Sequence, residues 1–79
     1  MKWIDEIARD FVVERFYQST KESDFEKAQE VHQYINSKTP EEISLEMGNK
    51  EFDIAIAWRY ASNYAYRLMG QYLMMGIRQ

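Results

Sequence analysis

Apolar residues fall at positions 3, 4, 7, 8, 11, 12 and 16 of the chain, the spacing that lines one face of an α-helix. A first amphipathic helix is therefore predicted from Trp3 to about Tyr17. Its other face carries Lys2, Asp5, Glu6, Arg9, Asp10 and Glu14. The polar run Gln18-Ser19-Thr20-Lys21-Glu22 interrupts the pattern, and Ser23-Asp24-Phe25-Glu26 reads as a capping box opening a second helix. Phe25, Ala28, Val31, His32 and Ile35 share a stripe on it. Ending near Asn36 to Lys38, this helix is expected to be shorter and less apolar than the first, a surface helix.

Thr39-Pro40-Glu41-Glu42 gives a stronger start signal, a threonine cap with proline at the first helical position, where its missing N–H costs nothing. The short third helix carries Ile43 and Met47 and is stopped by Gly48-Asn49, the residue pair that best tolerates a left-handed helix end. Asn49 is then placed to cap the last helix.

That last helix, predicted from Lys50 to Gln79, departs from one-sided patterning. Phe52, Ile54, Ile56, Trp58, Tyr60, Tyr64, Tyr66, Leu68, Met69, Tyr72, Leu73, Met74, Met75 and Ile77 point in nearly every direction around it. Only a narrow polar line remains: Arg59, Asn63, Arg67 and Gln71 at every fourth residue, joined by Asp53 and, at its edge, Ser62. At about 1.5 Å per residue such a helix runs roughly 43 Å, against about 23 Å for the first. It outruns its partners. Residues 52–68 are expected in the core and residues 69–77 beyond the other helices, with Gly70 and Gly76 favouring fraying or a bend past residue 70. The fold class is all-α, a single small bundle of three to four helices spanning residues 1–79 with a long C-terminal helix.

Composition narrows the function classes. Ten Lys and Arg stand against thirteen Asp and Glu, a formal charge of −3, which disfavours a general nucleic-acid binder. All thirteen acids lie in residues 1–53, whereas residues 54–79 hold Arg59, Arg67 and Arg78 and no acid. The chain is an acidic body with a weakly basic final helix. It has no cysteine, hence no disulfide framework and no thiolate chemistry. Asp5 and Glu6 interrupt the start where a secretion signal needs an apolar core, and no run of about 18 uncharged apolar residues offers a membrane span. A cytoplasmic protein is expected.

Candidate chemistry is sparse. His32, with Glu26 and Glu30 nearby, is a single histidine on one helix and reads as a half-packed boundary residue, so no metal site is assigned. Asp5/Glu6, Glu41/Glu42 and Glu51/Asp53 fall at helix starts, where they favour the positive end of the helix dipole. Three scattered glycines form no phosphate loop, and no nucleophilic triad is spaced for use. No enzyme activity and no cofactor are expected.

The resulting reading is a non-enzymatic protein-interaction module, a homodimer that binds and modulates or inhibits an unidentified protein, of the small accessory kind that phages and mobile elements carry. Tyrosine and methionine, abundant in the last helix, suit protein interfaces. The expected contact strip is Trp58, Tyr64, Leu68, Tyr72 and Met75, with Arg59 and Arg67 setting register or charge complementarity. Antiparallel pairing of the last helix would bring Arg67 against the acidic first half of a second chain. The alternative is a nucleic-acid-binding accessory protein using the Arg59, Asn63, Arg67 and Gln71 face. A membrane-surface role ranks below both, because the lysine-rich polar face of an interfacial helix is missing.

Overall fold

The computed structural model describes residues 2–77, with side chains for residues 2–76. Four α-helices make up this part of the chain: α1 (Ile4–Gln18), α2 (Asp24–Ser37), α3 (Pro40–Glu46) and α4 (Ile54–Ile77). The all-α class and the long C-terminal helix read from the sequence are both present. The expected extension of α4 to Arg78 and Gln79 lies outside the described residues.

Local chemistry sets the boundaries. At the start of α2 the Ser23 hydroxyl accepts the Glu26 N–H at 3.1 Å and donates to the Glu26 carboxylate at 3.1 Å. Thr39 and Glu42 repeat the arrangement at 3.2 Å for α3, with Pro40 in its first turn. A side-chain oxygen thereby takes one of the backbone donors that a helix start leaves unpaired, worth about 1 kcal/mol each. Gly48 adopts φ +72°, a conformation glycine enters without a Cβ penalty, and turns the chain out of α3.

Two boundary expectations are corrected. Asn49 does not cap α4. Its side chain accepts the Phe52 N–H at 2.9 Å and donates to the Phe52 carbonyl at 2.8 Å and to the buried Ser44 hydroxyl at 2.9 Å, folding residues 49–52 into a closed loop. Lys50 to Phe52 are spent on that loop, so α4 begins at Ile54 rather than Lys50. Asp53 takes over as the cap, accepting the Ile56 N–H at 3.1 Å. At the other end α4 continues through Gly70 to Ile77, and past Gly70 the Tyr72 ring, stacked on Phe16, still anchors it to the bundle.

The core gathers Ala8, Phe11, Val12 and Phe16 from α1, Ala28, Val31 and Ile35 from α2, Ile43 from α3, and Ala61 and Ala65 from α4. All three shorter helices pack on α4, which is the common partner of the fold, and α2 makes the most extensive contact with it. The expectation that α2 is a surface helix is thus corrected. Its stripe is narrow, but Ala28, Val31 and Ile35 are all buried because small residues on α4 let the two helices approach closely. Trp3, by contrast, was assigned to the apolar face of α1 and is exposed, since it precedes the first helical turn.

A polar pin joins the three short helices. The Arg15 guanidinium of α1 lies 3.6 Å from the centre of the Tyr34 ring of α2 and 3.6 Å from the Glu46 carboxylate of α3. The Tyr34 hydroxyl donates to the same carboxylate at 2.7 Å. A stacked arginine that also meets a carboxylate fixes orientation as well as charge. Overall the fold is elongated, 42 × 20 × 17 Å, its long dimension matching the roughly 36 Å of a 24-residue helix.

Candidate interaction surface on the last helix

The helical period divides α4 into an inner and an outer side. Ala57, Ala61 and Ala65 recur every fourth residue and are fully buried. On either side of this line Trp58, Tyr64, Leu68, Met69 and Tyr72 lie half-buried against the core. The Trp58 indole N–H donates to the Ile35 carbonyl of α2 at 3.1 Å, and the Tyr72 ring stacks on Phe16 of α1 with centroids 5.5 Å apart and planes 8° from parallel. Burial pushes the Tyr72 hydroxyl above its ordinary pKa.

The residues expected as a contact strip therefore separate. Trp58, Tyr64, Leu68 and Tyr72 are spent on the bundle itself, and of the apolar set only Met75 is exposed. Arg59 and Arg67 are exposed on the outer side, and no ion pair among the described residues engages either. The expected division into core residues 52–68 and free residues 69–77 is replaced by a division around the helix. Met69 and Tyr72 pack inward beyond residue 68, whereas Ile56, Tyr60 and Tyr66 face out before it.

The free apolar surface of α4 includes Ile54, Ile56, Tyr60, Tyr66, Leu73, Met74 and Met75, each between 43% and 62% exposed. Leu73 and Met74 fall in the stretch expected beyond the other helices, whereas Ile54, Ile56, Tyr60 and Tyr66 were expected in the core, yet a signal for them existed. The polar line Arg59, Asn63, Arg67, Gln71 marks the solvent side of the helix, so the apolar residues bordering it are the outermost ones. They flank the polar line on both sides, Tyr60 on one and Tyr66 on the other, and several large exposed apolar side chains on one helix mark a binding surface more often than an isolated one does. Tyr66 is edged by His32 of α2, the two rings 5.7 Å apart.

Elsewhere the polar groups are occupied with structure. Near His32, Glu26 is bound to Ser23 and Glu30 accepts the Ser19 hydroxyl at 2.8 Å. Among the described residues no group of three or more His, Cys, Asp or Glu side chains converges as a metal site would need. Asp5 accepts the Glu6 N–H at 2.9 Å at the start of α1, a helix-start role shared by Asp53 and Glu42. A shallow groove of about 300 Å³ lies beside the α3–α4 loop, lined by Lys2, Ile7, Asn49, Lys50, Glu51 and Phe52. Next to it Lys2 and Asp10 pair at 2.7 Å, the hydrogen bond lifting the lysine and depressing the carboxyl. The hydrogen bond to Glu46 likewise raises the Tyr34 hydroxyl. Each shift stabilises the ordinary charge state of its group, which is the signature of structural pairing rather than of a poised acid or base. Among the described residues, no helix is long and apolar enough to cross a membrane. No family model, no curated protein and no solved structure matches the chain.

Proposed function

We propose that the chain is a non-enzymatic protein-interaction module that works through the outer face of α4, forms a homodimer, and acts in the cytoplasm by binding and modulating another protein. One observation carries this reading: seven large apolar side chains, Ile54, Ile56, Tyr60, Tyr66, Leu73, Met74 and Met75, stand exposed on a helix whose inner side is already packed. The fold does not need them there. A helix contributing only to its own bundle would carry charged or polar residues on that side. The face fits an apolar helix or groove of a second protein.

Sedimentation equilibrium across the micromolar range tests it. The expected mass is twice the 9.5 kDa of one chain. Ile56→Glu with Met74→Glu should return the monomer while circular dichroism stays helical, since both side chains point away from the core. A wild-type chain that stays monomeric, and from which a lysate yields no partner lost in that double variant, would refute the reading.

A second reading has support in the unpaired exposure of Arg59 and Arg67 on a helix that carries no acid from Ile54 to Ile77. On it the Arg59, Asn63, Arg67 and Gln71 face contacts nucleic-acid phosphates. Two guanidiniums set against an acidic body supply little of the counterion-release affinity that such binding rests on. Salt-sensitive retention of DNA or RNA that is lost in Arg59→Glu with Arg67→Glu would favour this reading over the first.

A further inference from the structure

We infer that the protein bound by the outer face of α4 presents an amphipathic helix bordered by carboxylates, so that this acidic chain selects an acidic partner. The inference rests on the interaction reading above and adds to it the chemistry of the partner.

Charge is segregated in the fold. The whole chain carries −3, yet from Ile54 to Ile77 it holds no acid and two bases, Arg59 and Arg67. Elsewhere the bases are engaged within the chain. Lys2 and Arg9 pair with Asp10, Arg15 with Glu46, Lys27 with Asp24 and Lys38 with Glu42, which occupies five of the seven bases that precede α4. Arg59 and Arg67 are exposed, and among the described residues neither has an ion pair or an aromatic ring under its guanidinium. The flank toward α2 adds no carboxylate: the Ser62 hydroxyl donates to the Asn36 side chain at 3.3 Å, and the next contact is His32 against Tyr66.

The spacing of these groups describes what would cover them. Arg59 and Arg67 stand about two helical turns apart, roughly 12 Å along the axis. Exposed apolar side chains lie on either flank of them, Tyr60 and Met74 on one and Tyr66 and Leu73 on the other. An occupant has to supply apolar contact across the face together with two acceptors about two turns apart. A helix with an apolar stripe edged by Asp or Glu does both, because side chains two turns apart share one side of it. Carboxylates suit arginine best, accepting two parallel hydrogen bonds from one guanidinium. A neutral helix would desolvate the guanidiniums without pairing them, and a basic one would repel them. Nucleic acid would pair them but leave the apolar flanks without contact, and the lysine-rich face that holds a helix on lipid is missing.

Overall charge predicts the opposite preference, since a chain of −3 attracts a basic ligand at long range. That opposition makes the test sharp. Two stapled helical peptides with the same leucine stripe, one edged by glutamates and the other by lysines, are titrated against the chain at low salt and at a concentration that keeps it monomeric. The glutamate peptide should bind about fivefold tighter or more. Raised salt should shrink the difference, and Arg59→Gln with Arg67→Gln, two exposed changes checked by circular dichroism, should remove it.

Equal affinity, or a preference for the lysine peptide, overturns the inference and leaves the interaction reading standing. A preference that survives in the double arginine variant places the acidic ligand on another face and overturns it equally. Tighter retention on DNA or on phosphatidylserine vesicles than on the glutamate peptide overturns it in favour of a polyanion or a lipid surface. A chain that binds neither peptide also overturns it, and its mass in solution and its lysate partner then decide the interaction reading separately.

Discussion

The inner side of α4 is lined by alanine, and the outer side by isoleucine, tyrosine, leucine and methionine. Ala57, Ala61 and Ala65 are wholly enclosed, whereas Tyr66 and Met74 are more than half exposed. Size therefore does not decide which apolar residues of a helix become core. Distance between helices does. Alanine lets α2 and α1 approach α4 closely, so the volume at each contact is filled from the partner's side by Ile35, Val31, Val12 and Phe11. Large residues immediately beside the alanine line, Trp58, Leu68 and Tyr72, close over the edges of the contact. Those farther around the helix stay exposed among the described residues, even Tyr66, whose ring is edged by His32.

The comparison can be broken at its inner side most forcefully through the residues that fill the space left by the alanines. Ile35→Ala should destabilise the chain by about 2–5 kcal/mol, since a fully buried side chain is removed from a close-packed contact. Urea unfolding followed by circular dichroism reads this as a lowered midpoint. Ala61→Leu attacks the same contact by overfilling it, with an expected loss of about 1–3 kcal/mol and an unchanged denaturant slope if the fold is retained. If Ala61→Leu is tolerated without loss, close approach is not what the alanines provide.

Trp58→Phe sharpens the description of the edge. It keeps most of the ring while leaving the Ile35 carbonyl without its donor, so a loss of about 1 kcal/mol is expected in the same measurement. On the outer side Leu73→Ser should shift monomer stability by no more than about 0.5 kcal/mol, measured at a concentration low enough to keep the chain monomeric. A large loss there would mean that Leu73 packs inward after all.

The smallest effect is expected far from α4, at the exposed pair Lys2 and Asp10. The Asp10 carboxyl is depressed below its ordinary range, so its contribution to stability is present above that range and is lost as pH falls through the lowered value. For Lys2, raised by the same hydrogen bond, the contribution disappears as pH climbs through the raised value. Lys2 is exposed and Asp10 half-exposed, so the pair is screened by solvent and salt. The difference in melting temperature between wild type and Asp10→Asn should therefore be slight at neutral pH and vanish in acid.

Much of this architecture is legible in local sequence. Ser23 with Glu26 and Thr39 with Glu42 announce the starts of α2 and α3, and Gly48 announces the end of α3, because capping depends on residues within four positions of each other. The polar line from Arg59 to Gln71 likewise marks the outward direction of α4. Less legible was how the helices meet. The α2 stripe was too sparse to be recognised as the most extensive partner of α4, and Asn49, a good cap by composition, was diverted into a loop by the nearby Ser44 and Phe52. Among the candidate contact residues Arg59, Arg67 and Met75 are indeed exposed, but Trp58, Tyr64, Leu68 and Tyr72 belong to the bundle. A list of apolar residues around a helix cannot separate these groups until the positions of the neighbouring helices are known.

The sequence by itself determined that the chain is helical, where its helices begin and end to within a few residues, and that the last helix carries more apolar surface than one side of it can bury. Those properties follow from hydrogen bonds and periodicities confined to a few consecutive residues. Only the tertiary structure decided which apolar residues of α4 are buried. That choice is made by side chains far apart in sequence filling one shared volume, and it places Ala57, Ala61 and Ala65 inside and Ile56, Tyr60, Tyr66 and Met74 outside.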